Sequence, residues 1–218
     1  MKAPSRHLLI AWLALALPAG AEPPAPDCAD AAAAAVQKRY EGVRDVRARF
    51  QQTTESALDG GRQDSSGEVV LAKPGRMRWT YEEPAPSLVV SDGKTLWLYD
   101  PLFGEAQKLP AGEGFLSGAA ARFLLGEGDM RRDFEVTARA CEANETRLEL
   151  VPREAASYEK LFLSVDPKSG DVLGTRMVDL IGNVSSVSFL GLRTDTDPPP
   201  ETFRFEPPEG VKVIEIEP

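Results

Sequence analysis

The chain has 218 residues, with 34 acidic against 25 basic side chains for a net charge of −9, and one histidine. So acidic a chain is not drawn to nucleic acid or to anionic lipid surfaces. The histidine is His7, inside an N-terminal leader. The rest of the chain therefore lacks the imidazole that Ser-His-Asp and Cys-His catalysis, HExxH zinc sites and ordinary His-ligated metals require.

The leader reads as a secretory signal peptide. Lys2 and Arg6 precede an apolar run over 8–17 that is too short to span a bilayer, and Ala19-Gly20-Ala21 is an A-x-A cleavage site. Residues 1–21 are predicted to be removed, leaving residues 22–218 as one exported, soluble domain. Glu22, not Cys, stands directly after the cleavage site, so the chain is not expected to be a lipoprotein itself. No later segment is long and apolar enough to cross a membrane.

Residues 22–26 form a Pro-rich tether. Asp27 or Asp30 can cap a helix that runs to about Tyr40 and ends at Gly42. Its apolar positions, Cys28, Ala32, Ala35, Val36, Tyr40 and Val43, recur every three or four residues, so one stripe is buried. Strands are predicted over 46–54 and 68–72, with a Gly/Asp/Ser-rich loop over 58–66 between them. Residues 76–82 alternate, with Met77, Trp79 and Tyr81 on one face and Arg76, Arg78 and Thr80 on the other. Strands 87–91 and 95–99 flank Asp92-Gly93, a hairpin dipeptide expected to place both residues at positive φ. A short strand over 106–109 follows.

The period then changes. Phe115, Leu116, Ala119, Ala120, Phe123 and Leu124 fall on one stripe of a second helix, stopped by Gly126 and Gly128. Strands return over 134–140, 146–151, 161–165, 172–179 and 184–192. The expected fold is mainly β with helices (α+β). It is a curved antiparallel sheet of about eleven strands in up-and-down order, forming an open half-barrel lidded by the two amphipathic helices.

Cys28 and Cys141 are the two cysteines. An even count in an exported chain points to a disulfide tying the first helix to a distant strand; two separate buried thiols are the alternative. Gly93-Lys94-Thr95 looks like the end of a phosphate loop, but Leu88 stands where that motif needs Gly and a strand follows instead of a helix. Glu82, Glu83, Asp92, Asp100, Asp129 and Asp133 show no spacing that singles out a glycosidase pair, so they read as a solvated surface. Asn144-Glu145-Thr146 and Asn183-Val184-Ser185 match the glycosylation pattern and read as turn residues. No catalytic residue, metal ligand or cofactor is expected, and the chain is predicted not to be an enzyme.

What remains is apolar surface. Met77, Trp79 and Tyr81 form one row, and across the next hairpin Leu88, Val90, Trp97 and Tyr99 share a face, if a two-residue turn pairs Leu88 with Trp97 and Val90 with Thr95. The opposite face carries Val89, Leu96 and Leu98. Periodicity does not say which face is concave; the aromatic one is expected to line a groove, and a filled core is the alternative.

Two segments carry a family resemblance: GEVVLAKPGRMRWTYEEP, starting at Gly67, and SDGKTLWLYDP, ending at Pro101. Both closely resemble the central hairpins of the periplasmic outer-membrane lipoprotein carrier family (LolA), and Phe203-Arg204-Phe205-Glu206-Pro207-Pro208-Glu209-Gly210-Val211 is similar to its closing strand. The resemblance spans residues 30–216. It implies an open β-barrel lidded by helices, which binds the acyl chains of lipoproteins leaving the inner membrane and carries them through the periplasm as a monomer. The implied partners are lipidated outer-membrane proteins as cargo, an inner-membrane release complex and an outer-membrane receptor. On this resemblance Lys73 stands where the family has a basic residue before proline, a position linked to lid control and cargo transfer; Arg is usual there. Met77 falls where a large apolar residue is implicated in contact with the release complex. The cysteine pair is not part of the pattern.

The expected lipid-binding set is Met77, Trp79, Tyr81, Leu88, Val90, Trp97 and Tyr99, with Phe115, Leu116, Phe123 and Leu124 as lid contacts. Two other readings of the same apolar surface are a carrier of a different lipid, glycolipid or phospholipid, and an envelope interaction module without a ligand.

Overall fold

A computed structural model describes residues 28–111 and 128–216. The leader, the tether and the predicted second helix lie outside the described residues. Helix α1 spans Cys28–Gly42. Six strands follow: β1 Asp45–Glu55, β2 Arg62–Ala72, β3 Arg76–Glu83, β4 Ser87–Asp92, β5 Thr95–Asp100 and β6 Glu105–Pro110. A single helical turn, α2 (Met130–Asp133), leads into β7 Phe134–Cys141, β8 Thr146–Pro152, β9 Tyr158–Val165, β10 Val172–Asp179 and β11 Val184–Thr194. A 3-10 turn at Pro200–Phe203 precedes β12, Lys212–Glu215.

The twelve described strands join one sheet in the order β12-β6-β5-β4-β3-β2-β1-β11-β10-β9-β8-β7. Two meanders, β1–β6 and β7–β11, are sewn together by the antiparallel β1–β11 pair. The result is the expected α+β open half-barrel, with two departures from the sequence reading. The tail forms a twelfth strand, and it runs parallel to β6, so the order is not purely up-and-down. Residues 62–66 are strand, not loop, because their backbone pairs in register with 51–55 of β1. Cross-strand pairing there outweighs the turn-forming preference of Asp64, Ser65 and Ser66. Gly60, at φ 71°, turns the shorter loop that remains.

The face that α1 covers is the inner one. Ala29, Ala32, Ala33, Val36 and Tyr40 are buried there against Phe134, Leu148, Leu150, Leu163, Val165 and Val172. The small alanines let the helix approach closely. Gly170 shows how closely: a Cβ on it would lie 2.4 Å from the Ala35 carbonyl oxygen. Three ties fix α1 along its length. Cys28 is disulfide-bonded to Cys141 at the end of β7, Asp30 pairs with Arg131 at 2.9 Å, and Arg39 Nε donates to Asp171 Oδ1 at 2.7 Å.

Tyr40 is buried on the same face, and its hydroxyl accepts from the Val172 N–H at 3.2 Å. Burial pushes its phenol up from 10.0 to about 12. A group whose folded pKa is raised contributes stability below its unfolded pKa and loses it as pH rises through the folded one. Wild-type stability should therefore fall by roughly 2–3 kcal/mol between pH 10 and 12 from this group alone. Urea denaturation across that range should show a shallower fall in Tyr40→Phe; equal slopes would remove Tyr40 as the cause.

After β11 the chain leaves the inner side. Asp45, 5% exposed, accepts from Thr196 N and Thr196 Oγ1, both at 2.7 Å, and from Asp197 N at 3.1 Å. Asp195 and Asp197 take left-handed conformations (φ 54° and 53°) around this hub. The tail then packs across β3 and β4 on the outer face.

Candidate functional site

The inner wall is built from strand rows. Val69, Trp79, Val89 and Leu98 face one another across β2, β3, β4 and β5, and Leu71, Met77, Ser91 and Leu96 form the parallel row one step toward α1. Period-two alternation in each strand puts these side chains on one face. Phe50 of β1 stands edge-on to Trp79 (4.9 Å between centroids) and to Tyr81 (5.0 Å), and Phe189 of β11 lies 6.4 Å from Trp79. Edge-to-face packing at these distances is favourable for aromatic pairs.

The wall is unevenly covered. Met77, Leu71 and Leu96 are buried, whereas Trp79, Tyr81, Leu98, Val187 and Phe189 are only partly so. The partly exposed aromatic side chains thus lie away from the lip that carries Lys73. Tyr81 Oη donates to Gln52 Oε1 at 3.0 Å, and Gln52 Nε2 donates to Ser185 Oγ at 2.9 Å. Burial pushes the Tyr81 phenol up, so the ring stays neutral.

Register divides the predicted site set in two. Trp79 pairs with Val89, so Leu88 and Val90 point the other way, as do their partners Tyr99 and Trp97. Leu88, Val90, Trp97 and Tyr99 do share a face, but it is the outer one, opposite Met77, Trp79 and Tyr81. The hairpin is also longer than expected. Leu88 pairs with Tyr99 and Val90 with Trp97, and only Gly93 has positive φ, at 92°. The physical reason is the Asp92 side chain, whose Oδ1 accepts from both Lys94 N and Thr95 N at 2.8 Å. That bonding builds a wider turn than the two-residue hairpin requires.

The outer residues are already covered by the chain's own tail. Phe203 is buried with Val70 and Ala72. The Phe205 ring lies 5.6 Å from Trp97 and 5.2 Å from Tyr99. The Arg76 guanidinium sits 5.0 Å over the Phe203 ring, and Arg78 Nη1 donates to the Thr202 carbonyl at 3.2 Å. This second small core is a structural seal for the tail.

Lys73 stands at the lip between the sheet and α1. Its ammonium donates to the carbonyl oxygens of Tyr40 and Glu41, the latter at 3.3 Å, and its backbone N–H donates to the Arg44 carbonyl at 2.9 Å. A cation at the carbonyl end of a helix also meets the negative end of its dipole. Lysine thus reaches two successive helix carbonyls here without the planar fork of arginine.

Phe115, Leu116, Phe123 and Leu124 lie outside the described residues. Sequence reasoning missed Phe50, Val69 and Phe189 as parts of the wall, and it set Val89, Leu96 and Leu98 on the face opposite the expected site, whereas register places them on the face of Met77 and Trp79. Phe50 was readable as apolar within its strand, but Phe189 reaches the site through the β1–β11 pairing, which no local pattern announces. Among the described residues no group of His, Cys, Asp or Glu side chains is placed to hold a metal ion, and no helix is long and apolar enough to cross a membrane.

The family model for the outer membrane lipoprotein carrier protein LolA matches residues 41–206. An outer-membrane lipoprotein carrier protein of Nitrosospira multiformis is 33% identical over 180 residues, covering 80% of this chain and 84% of that one. One of Chromobacterium violaceum is 30% identical over 204 residues, covering 92% and 94%. Among solved structures, an uncharacterized conserved protein from Thermus thermophilus aligns with a TM-score of 0.54 at 12% identity, covering 84% of this chain and 99% of that one; that likeness concerns the fold alone. Together with the half-barrel and the Lys73-Pro74 to Pro101 hairpins, these matches place the chain in the outer membrane lipoprotein carrier protein LolA family.

Proposed function

We propose that this protein is a periplasmic carrier that binds the acyl chains of lipoproteins and shuttles them from the inner to the outer membrane. The observation that carries the reading is the partly exposed aromatic wall of Trp79, Tyr81 and Phe189 on the inner face of the sheet, which we read as one side of an apolar trough. Family membership supplies the chemical class of cargo, since relatives at 30–33% identity are named outer-membrane lipoprotein carrier proteins.

The driving force is burial. Each methylene taken from water contributes about 0.8 kcal/mol, so one long acyl chain offers on the order of 10 kcal/mol gross. No bond is made or broken, so the protein works as a binder and not as an enzyme. In this reading the leader exports the chain, residues 22–218 act as one domain, and a single copy carries one lipoprotein between a release complex and a receptor. We propose Phe115, Leu116, Phe123 and Leu124 as the lid contacts that would cover the trough when it is empty. Lys73, bonded to the end of α1, couples the lip of the sheet to that covering.

Incubating the mature protein with inner-membrane vesicles bearing a radiolabelled lipoprotein and the release machinery should yield soluble one-to-one complexes. The same lipoprotein stripped of its acyl chains should give none. Soluble complexes formed equally well by both would dismiss the acyl groove.

A further inference from the structure

We propose that the indole N–H of Trp79 is a hydrogen-bond donor reserved for the carbonyl oxygen where an acyl chain is joined to its cargo. The inference rests on the carrier reading above and adds a polar recognition point to an otherwise apolar trough.

Trp79 Nε1 is covered by its neighbours and, among the described residues, has no acceptor within hydrogen-bond distance. Buried donors in folded proteins are nearly always paired, and an unpaired one costs the desolvation of that group. The neighbouring polar groups are already engaged. The Gln52 carbonyl oxygen takes the Tyr81 hydroxyl, and the Gln52 amide is given to Ser185. The Trp79 ring itself is packed by Phe50 and Phe189, with Val69 and Val89 opposite it on either side. Such surroundings hold a water poorly, because a buried water needs two to four polar partners.

The ligand that suits this site is a hydrocarbon chain that ends in one strong acceptor. An ester- or amide-linked acyl chain has that form: a hydrocarbon tail, a carbonyl oxygen, and little other polarity nearby. A ring without a donor would serve the wall equally well for bare hydrocarbon. The indole therefore gives the trough a way to distinguish acyl from alkyl chains, and to stop the chain at a fixed depth.

The test compares two probes of equal chain length, a diacylglycerol with ester linkages and its dialkyl ether analogue, on the mature protein and on Trp79→Phe. Wild type should prefer the ester by about 10-fold. Trp79→Phe should bind the ester and the ether within about two-fold of each other, and its circular dichroism and urea midpoint show separately that the variant is folded. Nitrogen-15 spectra should show the Trp79 indole proton shifting on binding the ester and not the ether. An ester preference that survives in Trp79→Phe, or an equal loss for both probes, would overturn the inference and leave the carrier reading standing. Failure of wild type to take up either probe would instead overturn the carrier reading, and this inference with it.

Discussion

The double variant Cys28→Ser/Cys141→Ser should lose about 4 kcal/mol of stability and melt roughly 8–16 °C below the wild type. The disulfide closes a sequence separation of 113 residues, and cross-linking so long a loop removes much of the unfolded chain's freedom. It also joins the start of α1 to the end of β7, the strand at one margin of the sheet. Thermal unfolding of the oxidised protein, the reduced protein and the double variant would measure the effect. The reduced wild type should match the variant. A double variant that melts within about 2 °C of the oxidised wild type would show that the remaining ties, Asp30–Arg131 and Arg39–Asp171, suffice to hold the helix.

Gly67→Ala should destabilise the protein by about 3 kcal/mol or more, although the change adds one methyl group. Gly67 lies on β2 where the β2–β3 register shifts, between the Ser66–Glu83 and Gly67–Tyr81 pairs. A Cβ there would lie 1.9 Å from the Thr80 carbonyl oxygen and 3.0 Å from the Phe50 ring. The Thr80 atom is backbone and cannot rotate away, so two strands must separate. The strands that separate carry Trp79 and Tyr81, so lipid uptake should fall together with stability. Urea unfolding measures the first and probe binding the second. Gly61→Ala is the control, since the nearest atom there is the end of the Asp59 side chain at 3.1 Å, and it should cost well under about 1 kcal/mol. Equal effects from the two substitutions would mean that the Thr80 contact is not what matters.

Local chemistry made most elements readable in the sequence. Alternation identified β3, because half-buried strands sort their side chains by period two, and Asp92-Gly93 marked the hairpin that follows. The α1 stripe followed from its helical period. Parity between strands was not readable. Whether Leu88 joins Trp79 depends on the length and shape of the loop between β3 and β4, and one residue of register moves every side chain to the other face. The tail was equally opaque. Phe203 and Phe205 look like any alternating pair, and the surface that buries them, Val70, Ala72, Trp97 and Tyr99, comes from strands far away in sequence. The closing parallel strand β12 has only four residues, two of them charged, which is too little pattern for periodicity to register.

That last strand has a consequence for life at high concentration. An unclosed ribbon has two raw margins, each offering a row of backbone donors and acceptors to any neighbour. Here one margin is taken by the molecule's own end: Lys212–Glu215 zips along β6, and Lys212 and Glu215 pair with Glu105 and Lys108. What faces outward beyond it is short and charged. The other margin, β7, is kinked by an irregularity between Ala138 and Ala140 and pinned at its end through Cys141. Neither border offers a long straight seam, so many copies can crowd together without stitching into fibres.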